Sequence, residues 1–309
     1  MYQRSRTMLL YPMFSKVELL GIRLGGPGLG NLLFIWAHSL VYAKKNCLDM
    51  IWPTWPSLKL GPWVRHEKDK RFYGDLFVNQ SGHVDGLRKQ WLLLTAKKIP
   101  ADKFERMEQS VGARQDAIVI YDNFRMSFDG LREYRKDIVA LICGNLKSKN
   151  AQVLDYKADK SINVHIRLGD FSKNANALKQ GSNNVRIPIE WYISMIQKVR
   201  DVVGCIPVNI FSDGTDQELE QVLVLDKVSR ITFGNSISDI IALSKAPLII
   251  SSGSSFSLWA RFLGATCNIS YPGQIKERDL TDISGFEIEL DEQEELPEKT
   301  IKVLKRIYD

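Results

Sequence analysis

The sequence predicts an α/β protein with parallel, doubly wound sheets in two domains. Three observations carry this expectation. Across residues 162–264, short apolar runs of strand length alternate with helical periods. Several of these runs end in turns rich in glycine or serine that lead into a helix. A polar stretch at 148–161, SKNAQVLDYKADKS, divides this regular half from a less regular first half. At 309 residues the length suits about two domains of roughly 150 residues each. The boundary is placed so that 1–155 forms an N-terminal domain and 156–309 a C-terminal domain.

In the first half, residues 17–46 read as strand, glycine loop, helix. Leu33, Ile35, Trp36 and Leu40 supply the apolar face, and Lys44 and Lys45 suit the helix C-terminus. The next stretch, IWPTWPSLKLGPWVRHEKDKR, is rich in Trp and Pro with no sustained period, so it reads either as a groove-lining loop or as a satellite core. AIVIYDNF at 117–124 is a strand and 129–147 is helical.

In the second half, strand 162–168 is followed by a polar loop. Helix 188–203 starts at Pro188, which suits a first turn. Strand 207–212, helix 215–224, strand 230–233, helix 236–244, strand 247–251 and helix 255–263 follow, the last closed by Gly264. The tail KTIKVLKRIYD places Ile301, Leu304 and Tyr308 on one face of an amphipathic helix. That helix is expected to dock on the protein, back on the N-terminal domain, with a membrane surface as the lesser alternative.

Composition narrows the function classes. Hydrophobic residues make up 44% and charged residues 25%, as in an ordinary globular protein. The net charge of +6 favours an anionic partner. Lys and Arg are interleaved with Asp and Glu, as in RHEKDKR, which reads as a solvated surface and argues against nucleic acid. Cys47, Cys143, Cys205 and Cys267 lie far apart, so reduced thiols are expected. His38, His66, His83 and His165 form no HExxH pair, and no metal site is expected. The N-terminal apolar run is broken by Pro12 and Ser15, and no apolar segment reaches the roughly 18 residues of a membrane span. A cytoplasmic protein with at most peripheral membrane contact is expected.

In an open parallel sheet, ligands bind outside the carboxyl ends of the strands. Four such ends carry chemistry. GGPGLGN (Gly25–Asn31) offers backbone amides and a helix N-terminus to an anion, but Asn31 stands where a third glycine of GxGxxG would fall. HIRLGDF places His165 and Arg167 on one side of a strand with Asp170 just beyond. Arg167 then either grips phosphate oxygens or pairs with Asp170. FSDG puts Asp213 at a strand end, to accept from a base or ribose or to cap the next helix. IISSGSSFSLW gathers several hydroxyls at one helix N-terminus, more than capping needs, and reads as a phosphate site. Together they imply a nucleotide, its diphosphate neutralised by Arg167 and a helix N-terminus without metal, since no Asp-x-Asp pair is present.

These motifs, in this order, resemble the α1,2-fucosyltransferase family and share features with α1,6- and protein O-fucosyltransferases. GLGNLLFIWA (28–37) is similar to the family's G-G-L-G-N-Q-M-F-Q-Y-A, HIRLGDF to H-V-R-R-G-D-Y, FSDG to F-S-D, and IISSGSSFSLWARFL to I-I-A-N-S-T-F-S-W-W-G-A-W-L. The lead-in DIIALSKAPLII matches as well, so the resemblance spans 22–264.

The resemblance implies a GT-B fold, two facing Rossmann-like domains with a cleft between them. It also implies metal-independent, inverting transfer of L-fucose from GDP-fucose to a sugar hydroxyl, in α1,2 linkage to a galactoside. On this reading Arg167 grips the β-phosphate and His165 assists. Ser254, Ser255 and Phe256 hold phosphate and nucleoside, Asp213 contacts the guanosine, and Gly28, Gly30 and Asn31 approach the diphosphate. Asp170 is the candidate base, or else orients Arg167. The partners implied are a GDP-sugar donor and a glycan acceptor, the latter met by loops such as 52–75. Three positions depart from the pattern: Leu168 replaces an arginine, Leu32 a glutamine and Leu258 a tryptophan. Another GDP-deoxysugar, or an idle GDP- or glycan-binding protein, is the alternative.

Overall fold

The computed structural model describes residues 8–19, 21–58, 71–108, 117–182, 184–282 and 284–309. Its Cα framework divides into two units, residues 1–149 and 150–309. His66 and half of the expected acceptor loop, residues 59–70, lie outside the described residues.

In the first unit, β1 (Leu9–Pro12), β2 (Glu18–Leu19) and β3 (Ile22–Leu24) precede α1 (Leu29–Lys45). Then come β4 (Asp49–Met50), β5 (Ser57–Leu58), α2 (Gly86–Thr95), β6 (Lys97–Pro100), α3 (Ala101–Glu108), β7 (Ala117–Tyr121) and α4 (Arg135–Gly144). Four strands form a parallel sheet in the order β4-β1-β7-β6. β2, β3 and β5 form a small separate sheet. The strand expected before the glycine loop is therefore β3, outside the main sheet, whose first strand is β1.

α1 is buried on nearly every face, from Leu29 through Ala43 apart from Asn31. Trp52 and Trp55 of the Trp/Pro-rich stretch are buried too and pack edge-on against Trp36, at 5.6 and 5.1 Å between ring centroids. Those two tryptophans serve a core rather than a groove. The helix expected over 129–147 is shorter: a single 3₁₀ turn at Arg132–Tyr134 leads into α4.

In the second unit, β8 (Ile162–Ile166), α5 (Ile189–Val203), β9 (Val208–Ser212), α6 (Asp216–Leu223) and β10 (Val228–Arg230) alternate. α7 (Ser236–Leu243), β11 (Leu248–Ser251), α8 (Ser255–Gly264), β12 (Cys267–Ser270), β13 (Glu287–Glu289) and α9 (Glu298–Tyr308) follow. All six strands are parallel, in the order β10-β9-β8-β11-β12-β13. Counted from β8, this is the 3-2-1-4-5-6 order of a dinucleotide-binding sheet, with its switch point between β8 and β11.

β8 is buried on both faces. Ile162, Val164 and Ile166 enter one core, while Asn163 on the other face donates to the last carbonyls of α7, Ala242 (3.1 Å) and Leu243 (3.0 Å). β10 lies about two residues earlier than the strand expected at 230–233, because Val228 is the residue in register with Val208. α8 runs through Gly264, and the left-handed residue is Ala265, φ 51°. Gly264 is small for another reason: a Cβ there would collide with the Ser244 carbonyl after α7. The amphipathic tail folds as α9, seating Val303 and Leu304 in the core of its own unit, and Tyr308 donates to the Ser161 carbonyl at 3.0 Å. No helix among the described residues is long and apolar enough to cross a membrane.

Candidate active site

The carboxyl ends of β8, β9 and β11 bring together His165, Arg167, Asp170, Asp213 and the serine loop 251–255. Arg167 lies one residue past β8 and keeps 26% of its side-chain surface exposed, so its guanidinium is reachable. Two carboxylates hold it, Asp170 at 2.6 Å and Asp213 at 2.8 Å. It also lies over the Phe171 ring, 5.6 Å from the centroid. A guanidinium carries five N–H donors, more than these two contacts use, so it can take an anion without leaving its carboxylates.

Asp213 does more than pair. Its Oδ1 accepts from the Leu168 amide at 2.8 Å, which fixes the turn after β8 against the end of β9. That turn is tight: a Cβ on Gly169 would fall onto Asp213 Oδ2. Asp213 thus bonds the Leu168 amide with one oxygen and Arg167 with the other, while 30% of its side chain stays exposed. Leu168, in place of an arginine, is buried and packs against Gly214.

Two arginines that the sequence reading missed complete the scaffold. Arg186 bonds the carbonyls of Phe171 (3.2 Å) and Gly169 (3.2 Å) and pairs with Glu218 at 2.8 Å. Arg230 donates to the carbonyls of Ser212 and Gly214 and pairs with Asp216. Each secures one strand-end loop. No motif marks them, since their partners are backbone carbonyls distant in sequence.

His165 is nearly sealed, 4% exposed, and stacks on Phe256 at 4.9 Å. Its Nδ1 faces three hydroxyls: Ser257 at 2.6 Å, Ser252 at 3.0 Å and Ser254 at 3.4 Å. Burial, helped by the nearby Arg167 charge, pushes its pKa down to about 3. Burial thus favours the uncharged imidazole, a hydrogen-bonding group toward these hydroxyls.

These contacts engage several hydroxyls of the serine loop. Ser254 caps α8 by accepting from the Ser257 amide, and Ser251 donates to Asn268 at 2.7 Å. Ser255, the first residue of α8, is partly exposed. What the loop offers an anion is chiefly its helix N-terminus. Gly253 is compact because a Cβ would strike the Gln274 side-chain oxygen.

Gly28, Gly30 and Asn31 belong to the first unit. Gly28 precedes α1 with φ −69° and no side-chain cap, and its carbonyl accepts from Asn31 and Leu32 at 3.1 Å each. The glycine requirement lies earlier, at Gly25 (φ +71°) and Gly26 (φ +93°). A Cβ on Gly26 would sit 2.8 Å from Arg23 Nη1. Arg23, also unmarked in the sequence reading, is fully buried and lies near the Phe14 and Tyr73 rings.

Residues 121–274 match the family model for glycosyl transferase family 11. That segment is similar to a family 11 glycosyltransferase core. The match contains HIRLGDF, FSDG and the serine loop, and leaves GLGN outside. No curated protein sequence matches the chain.

Among solved structures, the chain is similar to the Bradyrhizobium α1,6-fucosyltransferase NodZ soaked with GDP-fucose. That match has 14% identity and TM-score 0.51, over 86% of this chain and 96% of that one. It is similar to Arabidopsis thaliana FUT1 in complex with GDP at 12% identity and TM-score 0.50, over 90% and 73%. POFUT1 in complex with GDP matches at 10% identity and TM-score 0.50, over 92% and 98%. At such identities the likeness is one of fold, and the chain has the GT-B type of fold.

Proposed function

We propose that the protein transfers L-fucose from GDP-fucose to a sugar hydroxyl, with inversion and without metal, forming an α1,2 linkage to a galactoside. The observation that carries the reading is Arg167: a partly exposed guanidinium, pinned by Asp170 and Asp213, at the switch point beside the N-terminus of α8. A leaving diphosphate gathers negative charge as the glycosidic bond breaks. A cation and helix amides already in place stabilise that charge without reorganising. NodZ was soaked with GDP-fucose, and FUT1 and POFUT1 were solved with GDP, which supports GDP-fucose as donor.

Asp170 orients Arg167 in this reading, and His165 braces the serine loop as a neutral group. Ser255 and Phe256 border the diphosphate in this reading, and Gly28, Gly30 and Asn31 remain donor-binding candidates on the family resemblance. A second reading, a GDP-deoxysugar other than fucose, is favoured by Leu168, whose buried side chain replaces a charge near the donor.

Calorimetric titration with GDP, with UDP as control and EDTA throughout, tests the donor site. Wild type should bind GDP in preference to UDP. Arg167→Ala should lose about 1.5–3 kcal/mol, roughly tenfold to a hundredfold in affinity. Equal GDP affinity in the two proteins would sink the proposal.

A further inference from the structure

The first unit has a switch point of its own. From β1 the chain steps to β4 on one side, and β7 pairs with β1 on the other. At the carboxyl ends of β1 and β7 lies an open cavity of about 660 Å³, within the range of small-ligand sites. Lys16 lines it from the loop after β1, and Asp122, Asn123, Phe124 and Arg125 from the segment after β7. Tyr42 of α1, Glu105 of α3 and Tyr121 complete the wall.

The lining chemistry is unusual for a solvated surface. Lys16, Glu105, Asp122, Asn123 and Arg125 converge on one cavity, yet their side chains make no hydrogen bond or ion pair among the described residues. Phe124 stands half exposed at 50%, beside them. Two cations and two carboxylates balance in charge, which suits neither a polyanion nor a polycation. Donors and acceptors set around aromatic faces do suit a neutral saccharide. Its hydroxyls both donate and accept, and its C–H faces pack on rings.

We propose that this cavity binds the neutral saccharide that accepts the transferred sugar, with Phe124 under a sugar ring and Asp122, Asn123 and Arg125 on its hydroxyls. The acceptor role rests on the glycosyltransferase reading; the sugar site itself rests on the first unit alone. It places the acceptor at 121–125 rather than in the 52–75 loops.

The test is saturation-transfer NMR on the full chain with lactose, N-acetyllactosamine, N-acetylglucosamine and mannose as probes, under saturating GDP. Wild type should transfer saturation to at least one probe. Phe124→Ala should weaken that probe roughly threefold to tenfold, and Asn123→Ala should weaken it as well. Both side chains are exposed, and an unchanged GDP titration certifies that each variant is folded. No transfer to any of the four sugars, or transfer indifferent to both substitutions, overturns the proposal. GDP failing to bind while sugars still bind would sink the donor reading and leave this site standing.

Discussion

The neutral imidazole of His165 makes a quantitative claim about stability. A buried histidine whose pKa falls to about 3 in the folded state still has a value near 6.5 when unfolded. Below pH 6.5 the unfolded chain takes up a proton that the folded chain refuses, so stability falls as pH drops, over the window from about 6.5 to about 3. Each pH unit in that window costs about 1.4 kcal/mol, so lowering the pH from 7 to 5 should remove about 2 kcal/mol through this residue. The group is almost fully buried, so solvent screening does not erode the figure.

The control is His165→Gln, which keeps a hydrogen-bonding side chain among Ser252, Ser254 and Ser257 but cannot titrate. Urea unfolding of both proteins at pH 7 and pH 5 isolates the residue, because all other titrating groups are shared. The wild-type advantage should shrink by about 2 kcal/mol at pH 5. A gap unchanged to within about 0.5 kcal/mol would refute the claim that His165 stays neutral. So would an imidazole ¹⁵N spectrum of the native protein showing protonation near pH 6.

Other expectations follow from single contacts. Gly169→Ala drives a methyl onto Asp213 Oδ2 and so displaces the carboxylate that positions Arg167; GDP affinity should fall severalfold by calorimetry, and an unaltered affinity would count against Asp213 as the positioning group. Asn163→Ala removes the side-chain donor to the α7 carbonyls of Ala242 and Leu243 and should cost about 2 kcal/mol in urea, a loss under about 0.5 kcal/mol being the contrary result. Asp239 is raised to about 6, chiefly by burial, so its contribution is present below pH 3.8 and lost as pH climbs through 6. Relative to Asp239→Asn, wild type should lose about 2 kcal/mol between pH 4 and pH 7, opposite in sign to His165, and parallel pH curves would refute it.

What the sequence disclosed and what it hid follow the range of each interaction. The alternation of strands and helices over 162–264 was legible because periodicity is local. The parallel six-stranded order was only implied, since pairing β8 with β11 joins residues more than eighty positions apart. β12 and β13 passed unnoticed: CNIS and EIE are too short, and too polar on one face, to announce themselves. At the site, the strand-end rule found Arg167, Asp170 and Asp213, whose chemistry is written in residue type. It could not say that Asp213 bonds the Leu168 amide as well as Arg167, nor that the serine hydroxyls close around His165, because those facts depend on three-dimensional packing. Arg23, Arg186 and Arg230 escaped for the same reason. A guanidinium that serves backbone carbonyls or ring faces looks, in sequence, like any surface arginine. The family pattern reads the groups that meet the ligand and is silent about those that hold them in place. It is equally silent about the cavity after β7, where DNFR carries no motif and only the fold gathers Lys16, Glu105 and Arg125 around one space.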